Sequence, residues 1–329
     1  MAVSAAVRRV ILNLEPAERA RAELERIDGI EVVARYELAR TRDPGVVADG
    51  LAGAWAAVAG VEPYTRSVFA AVPELRAVFR WGTGSDAIDI AAATEAGVAV
   101  ITTPGVNAEA VADMALALML ACIRRLPDLD RGVRSGTWRP DGPTRDLAGA
   151  TVGVVGLGAI GRAVTRRLRG FGCRVLALEP YPDQDFCAQY EVELTDLESM
   201  LPRIDVLTLH APANRGSRGL IGAPELRALP RHAVVINTAR GELIDQAALA
   251  AALSDGDIAA AGLDVFAHEP LALDDPILRA PNTIFTGHVS SYTELGLERT
   301  KQALIANVQA VLSGRLPESC LNPEAWGGR

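Results

Sequence analysis

The stretch 151–179 reads TVGVVGLGAIGRAVTRRLRGFGCRVLALE: a strand, a glycine turn, a helix, and a second strand that ends in an acid. Val152 to Val155 is an apolar run too short for a helix and stopped by Gly156, as expected of a strand buried on both faces. Gly158 removes the side chain that would keep a pyrophosphate off the backbone, and Gly161 lets a helix from about Ala159 to Gly170 pack closely on the sheet. The first amides of that helix present the positive end of its dipole to an anion. The next apolar strand, Cys173 to Leu178, runs into Glu179, 18 residues after Gly161. A carboxylate there accepts both hydroxyls of an adenosine ribose. A 2′-phosphate would meet its negative charge, and Pro180-Tyr181 offers no Arg, so the stretch predicts a grip for NAD rather than NADP.

The remaining composition narrows the class. A length of 329 residues accommodates two domains, and 49% hydrophobic with 22% charged residues is a folded, globular balance. Lys and Arg number 33 against 41 Asp and Glu, a net charge of −8. That balance argues against a general nucleic-acid or membrane-surface binder, which needs a basic face, so any anionic ligand must be held by a local cluster. Cys122, Cys173, Cys187 and Cys320 show no CxxC spacing and read as thiols of a reducing compartment rather than disulfide or zinc ligands. After Arg8 and Arg9 comes only a short apolar run, Val10 to Leu14, without a small-residue cleavage site, so no signal peptide is expected. The apolar helix candidate Met114 to Ile123 is too short to span a bilayer. The expected location is cytoplasmic.

Along the first hundred residues, short apolar runs alternate with amphipathic stretches. Val10 to Leu14, Ile30 to Ala34, Trp55 to Ala59, Arg76 to Trp81 and Val98 to Ile101 read as strands, with Glu15 to Arg26 as a charged helix between the first two. Such alternation predicts a parallel sheet with helices on both faces. Thr102 to Gly105 breaks it, and Val106 to Arg125 becomes a long apolar helix. Arg124 to Gly149 is polar, punctuated by Pro and Gly around Trp138, and reads as an irregular excursion. Strands and helices alternate again from Thr151 to about Gly287, and a last helix spans Thr293 to Ser313. The fold class is therefore α/β, with two doubly wound parallel-sheet domains. A Rossmann-type nucleotide domain at 105–290 is inserted into a second domain made of 1–104 and 291–329.

Chemistry-bearing residues follow three strands of the second half. INTARGE, 236–242, places Arg240 just past a strand end, the edge at which open α/β sheets bind ligands, and its planar fork suits a carboxylate. AGLDVFAHEP, 261–270, carries Asp264 at a strand end and Glu269 beyond it. IFTGHVSS, 284–291, brings His288 after a third strand.

At these residues the chain resembles the D-isomer-specific 2-hydroxyacid dehydrogenases, which include phosphoglycerate, glyoxylate/hydroxypyruvate and D-lactate dehydrogenases. The resemblance covers nearly the whole chain. It rests on WGTGSDAID (81–89), TPGVNAEAVAD (103–113), GLGAIG (156–161), LHAP (209–212), NTARGELID (237–245), GLDVFAHEP (262–270) and GHVSSYT (287–293). It implies a flavodoxin-like substrate domain, an NAD domain, an active site in the cleft, no metal, and a homodimer built on the helix after Asn107 and the arm around Trp138. Arg240 would bind the carboxylate and carbonyl of a small 2-oxo acid, His288 would be the acid/base and Glu269 its partner. Backbone amides around Thr83 and Gly84 would hold the carboxylate. On the cofactor side it implies Gly156, Gly158, Ile160, Gly161 and Glu179, with His210, Pro212 and Thr238 lining the site and Asp264 orienting the nicotinamide amide. A carboxylate paired with the histidine would keep the proton donor charged near neutral pH.

Two features depart from the family pattern. Gly287 stands before His288 where many relatives have Pro, which loosens the entry to that residue, and the acid at 179 is Glu rather than the commoner Asp. Phosphoglycerate dehydrogenases carry an Arg-Ser-x-Thr run after the third strand for the substrate phosphate. Here the run is Ala59-Gly60-Val61-Glu62-Pro63-Tyr64-Thr65, so an acid stands where a cation would help, with Arg80 as a replacement. With 329 residues, no serine-sensing regulatory domain is expected. The expected substrate is accordingly uncharged at its tail, glyoxylate or hydroxypyruvate. The alternatives are 3-phosphoglycerate, or an NAD-sensing, corepressor-like protein binder with weak turnover.

Overall fold

The computed structural model describes residues 7–139 and 142–327. The chain divides into two compact units, Met1–Asn107 with Glu294–Arg329, and Ala108–Thr293. Each is built on its own parallel sheet.

In the first unit the strands are β1 (Arg8–Leu12), β2 (Ile30–Ala34), β3 (Ala56–Ala59), β4 (Ala77–Arg80) and β5 (Ala99–Ile101), laid out β2-β1-β3-β4-β5. This is the flavodoxin-like order. All of β3 and most of β4 are buried, which is why their sequences are continuous apolar runs rather than alternating ones. β1 begins earlier than the hydrophobic run suggested, at Arg8, and ends at Leu12, which places Asn13 at the carboxyl edge of the sheet. The charged segment after it is a 3₁₀ helix, Glu15–Ala20, with Pro16 in its first turn, followed by a single α turn, Arg21–Leu24. The last helix, Glu294–Leu312, belongs to this unit. It buries Leu304, Val308 and Val311 in one core with Val10, Leu12 and Phe79.

In the second unit the strands are β6 (Thr151–Val155), β7 (Arg174–Leu178), β8 (Glu193–Leu194), β9 (Val206–Leu209), β10 (Val234–Asn237), β11 (Ala260–Leu263) and β12 (Thr283–Phe285). Their order is β12-β11-β10-β9-β6-β7-β8. Counted from β6 this is the doubly wound dinucleotide order, and the chain reverses direction across the sheet between β6 and β9. Alternate residues enter two cores: Val152, Val154, Val234 and Ile236 face one, Val155, Val235 and Leu209 the other.

Helix Ala108–Ile123 differs from its expected role. Its apolar residues Leu118, Met119 and Cys122 are buried within its own unit, against the face that also carries helix Ala159–Gly170. Gly262 makes that approach possible, since a Cβ there would lie 2.9 Å from Leu118 Cβ. The following segment is also more ordered than its punctuation suggested, for it contains a helix, Leu126–Arg134. Pro127 sits in the first turn, where a missing N–H breaks no intrahelical bond, and Asp130 pairs with Arg134 one turn on at 2.8 Å. Trp138 beyond it is 81% exposed; Pro140 and Asp141 lie outside the described residues. Among the described residues no helix is long and apolar enough to cross a membrane, and all four thiols are free.

Candidate active site

The glycine turn lies at the point where the second sheet reverses. His210 N donates to Val155 O at 2.7 Å, which fixes the end of β9 against the end of β6. Gly156 has φ +91, and a Cβ on it would lie 2.7 Å from Ala211 N; one on Gly161 would lie 2.0 Å from Gly156 O. Both glycines are therefore demanded by close backbone approach. Gly158 is different, because nothing lies within 4 Å of where its Cβ would be. It is the N-cap of helix Ala159–Gly170, and no side chain caps that helix, so its first amides face open space that suits a pyrophosphate. Ile160, in that first turn, is half-buried.

Glu179 is held by two backbone amides, Leu157 N to Oε2 at 2.8 Å and Tyr181 N to Oε1 at 3.0 Å. A carboxylate has about four lone-pair sites, so one remains on each oxygen for a ribose hydroxyl. On the other side of the reversal, Leu209 and Asn237 are register partners, so His210 and Thr238 leave β9 and β10 at one level. His210 Nε2 lies 2.9 Å from Thr208 Oγ1, and burial pushes the imidazole down to about 3, so the ring is neutral. Its Nδ1 and the Oγ1 of Thr238 are buried without a partner. Pro212 closes this loop by accepting from Ser217 Oγ at 2.6 Å. Two unmatched polar atoms and an open glycine cradle fit NAD, whose amide and phosphates can satisfy them.

The three chemistry-bearing segments meet because β10, β11 and β12 are neighbours. Asn237 pairs with Leu263 and Leu263 with Phe285, so all three segments leave the same edge of the sheet. Asn237, buried and not singled out from sequence, shapes the first: its Nδ2 donates to Arg240 O at 2.8 Å and its Oδ1 accepts from Ala239 N at 3.0 Å. Arg240 Nη1 donates to Ala239 O at 2.6 Å. Gly241 then touches the second segment directly, since a Cβ there would fall 1.9 Å from the carbonyl carbon of Phe266. Phe266 N donates to Glu269 Oε1 at 3.1 Å, and Glu269 Oε2 lies 2.7 Å from His288 Nδ1. Burial works to raise the Glu269 carboxyl, but the hydrogen bond and charge of His288 and the Phe266 amide outweigh it and hold it below its ordinary value. With the carboxylate ionised, Nδ1 must carry the proton of this pair, leaving Nε2 as the atom free to serve another oxygen. His268, beside Glu269, is exposed.

Asp264 follows β11 and turns into the protein. It is fully buried, and its carboxylate accepts from Thr286 Oγ1 (2.5 Å), Val289 N (2.9 Å), Ser290 N (3.0 Å) and Ser290 Oγ (2.5 Å). Four donors match its four lone-pair sites, so it turns inward and holds the 286–290 loop. Its carbonyl also accepts from His288 N at 2.7 Å. His288 itself has φ +57, a left-handed conformation rare outside glycine. No local sequence signal marks Thr286 and Ser290 as the donors that keep it there.

In the first unit, Thr83 and Gly84 follow β4 in a loop pinned by Gly82 N to Thr103 Oγ1 at 3.0 Å. Glu62, the acid that stands where a cation would help, is turned away from solvent. It is fully buried, accepting from Asn13 Nδ2 at 2.6 Å and from Gly60 N at 3.1 and 3.0 Å. Instead, Arg42 Nη1 donates to Val61 O at 3.3 Å and Arg80 Nη1 to Ala59 O at 3.4 Å, so two guanidinium groups reach this loop.

Comparison with known proteins shows the family. Residues 116–290 match the model of the D-isomer specific 2-hydroxyacid dehydrogenase, NAD binding domain. A glyoxylate reductase from Korarchaeum cryptofilum is 39% identical over 268 residues, 80% of this chain and 81% of that one. A D-3-phosphoglycerate dehydrogenase from Mycobacterium tuberculosis is 38% identical over 78% of this chain, which spans only 48% of that relative. An NADPH-dependent glyoxylate/hydroxypyruvate reductase from Sinorhizobium meliloti, crystallised with NADP and malonate, has a TM-score of 0.84 at 29% identity, covering 97% of this chain and 98% of that one. The chain belongs to the D-isomer specific 2-hydroxyacid dehydrogenase family. It is an NAD-dependent oxidoreductase acting on the CH–OH group of 2-hydroxy acids.

The lowered Glu269 carboxyl sets an expectation for pH. A depressed carboxylate keeps its pairing above its ordinary value of 4.5 and loses it only as pH falls through the lower folded value. Reduction rates followed downward from neutral pH, with the fold monitored by circular dichroism, should show no acid limb centred above 4.5 in the folded enzyme; such a limb would mean that Glu269 is not the ionised partner of His288.

Proposed function

We propose that this chain reduces a small 2-oxo acid to the D-2-hydroxy acid with NADH, with glyoxylate or hydroxypyruvate as the favoured substrate. The observation that carries the reading is the Glu269–His288 pair, 2.7 Å apart, on the same sheet edge as Arg240 and the glycine turn. The amides after Gly158 take the pyrophosphate, Gly156 and Gly161 shape the turn, and Glu179 takes the ribose. Thr238 and the neutral His210 meet the nicotinamide end. Bound NADH supplies the hydride. As negative charge grows on the substrate oxygen, His288 Nε2 donates a proton to it, and Glu269, bonded to Nδ1, orients the ring for the donation. The Arg240 fork holds the carboxylate and stabilises the developing charge on the carbonyl oxygen.

Similarity to the glyoxylate reductase along four-fifths of both chains supports the unphosphorylated substrate. Arg42 and Arg80 beside the loop after β3 favour the second reading, a phosphorylated tail as in 3-phosphohydroxypyruvate. Assembly is read as a homodimer in which a second copy covers Leu126, Val133 and Trp138, exposed by 50, 54 and 81% around the helix after Arg125. The four free thiols support a cytoplasmic location.

His288→Asn should lower the turnover number by about 10² or more while leaving NADH affinity nearly unchanged, and Arg240→Lys should be nearly as harmful because an ammonium lacks the planar fork. Wild-type turnover in either variant would place the chemistry elsewhere. In an NADH-oxidation panel, glyoxylate or hydroxypyruvate should have the highest specificity constant. A maximum for 3-phosphohydroxypyruvate would select the second reading, and inactivity on every 2-oxo acid would favour the corepressor-like alternative. Sedimentation at micromolar concentration should give a dimer; monomer alone would refute the assembly.

A further inference from the structure

One charged group beside the glycine turn has no part in the chemistry above. Leu157, between the first two glycines, is held at both ends: its N–H donates to Glu179 Oε2 at 2.8 Å, and its carbonyl accepts from Arg162 Nε at 2.9 Å. Arg162 in turn donates from Nη1 to Asp183 Oδ2 at 2.7 Å, and its guanidinium lies over the Phe186 ring, 5.4 Å from the centroid. Asp183 is itself fixed, because its Oδ1 accepts from Phe186 N at 3.0 Å and caps helix Gln184–Gln189. The acid read as the ribose partner and this cation thus share one residue, Leu157, and the cation is bound by a second acid.

We propose that Asp183 and Arg162 are specificity-determining residues: Asp183 holds Arg162 in an ion pair next to Glu179 and so keeps it from serving a 2′-phosphate. This rests on the NAD reading of the glycine turn. The local charge is one cation against two carboxylates, and a phosphate monoester brings about −1.5 to −2 more, so NADP is repelled although an Arg is in reach. The side chain of Arg162 is one-third exposed, so it is not sealed behind the sheet. Neutralising Glu179 alone leaves Arg162 tied to Asp183. Neutralising Asp183 alone leaves Arg162 joined to the charged Glu179 through Leu157. Only when both acids are neutral does an unmatched guanidinium stand beside the ribose, so the two changes must act more than additively.

The test is direct binding of 5′-AMP and of 2′,5′-ADP by titration calorimetry to wild type, Glu179→Gln, Asp183→Asn and the double variant. Asn preserves the helix cap, and Gln retains an oxygen for Leu157 N, so both changes remove charge with little loss of shape. Wild type should bind 5′-AMP far more tightly than 2′,5′-ADP. The double variant should gain affinity for 2′,5′-ADP at least about tenfold beyond the product of the single gains. Adding Arg162→Gln to the double variant should erase that gain. Single effects that simply multiply, or a gain that survives the loss of Arg162, would overturn the proposal. Failure of wild type to bind 5′-AMP would instead refute the NAD reading, and this inference with it.

Discussion

The site depends on one buried carboxylate. Asp264 follows β11 with no exposed surface, and a carboxylate in that position is tolerated only if every lone pair is matched. Thr286, Val289 and Ser290 supply the four donors, and all of them lie on the loop that carries His288. The electrostatic need of Asp264 thus becomes a geometric constraint on its neighbour. A histidine at φ +57 sits in a sparsely populated well and persists only where the surroundings over-determine it. This also answers the loosening expected from Gly287: the loop is held from behind by Asp264, so a stiff residue before the histidine is not needed.

A second constraint couples Arg240 to the Glu269–His288 pair without any side-chain contact. Gly241 is in backbone contact with Phe266, whose amide orients Glu269. Any side chain at 241 would have to displace the Phe266 carbonyl, and with it the carboxylate that orders His288. Asn237 closes the other side of the same turn by bonding Ala239 N and Arg240 O. The segments after β10, β11 and β12 therefore behave as one rigid edge, the kind of support that keeps functional groups within the small tolerances chemistry requires.

How much of this was legible in the sequence follows from the range of the interactions. The glycine turn was readable because its requirements are local: Gly156 and Gly161 avoid backbone only a few residues or one strand away, and Glu179 ends the next strand. The strand-end positions of Arg240, Glu269 and His288 were readable because each follows an apolar run. The loop-holding part of Asp264 was not readable because its donors are more than 20 residues away and reach it only once β11 and β12 pair. Glu62 looked like a loop acid for the same reason, since its partner Asn13 arrives through the adjacency of β1 and β3. Helix Leu126–Arg134 was hidden by Pro127 and Gly132, which read as punctuation although Pro127 occupies a position where proline starts helices.

The two sheets obey one topological rule and use it in opposite ways. Each reverses direction once, between β1 and β3 in the first and between β6 and β9 in the second, and a reversal opens a crevice at the carboxyl ends of the strands with backbone N–H groups turned toward it. In the first sheet the chain fills that crevice itself, since the Glu62 carboxyl takes the Gly60 amide and the Asn13 side chain and leaves Asn13 and Tyr64 fully buried around it. In the second, the residue at the equivalent reversal is Gly158, whose missing Cβ leaves open space in front of the helix amides. An acid from within the chain occupies one anion-seeking edge, and the other is left for a phosphate from outside. The choice between a plugged crevice and a cofactor site is thus made by a single acid in one sheet and a single glycine in the other, within the same architecture.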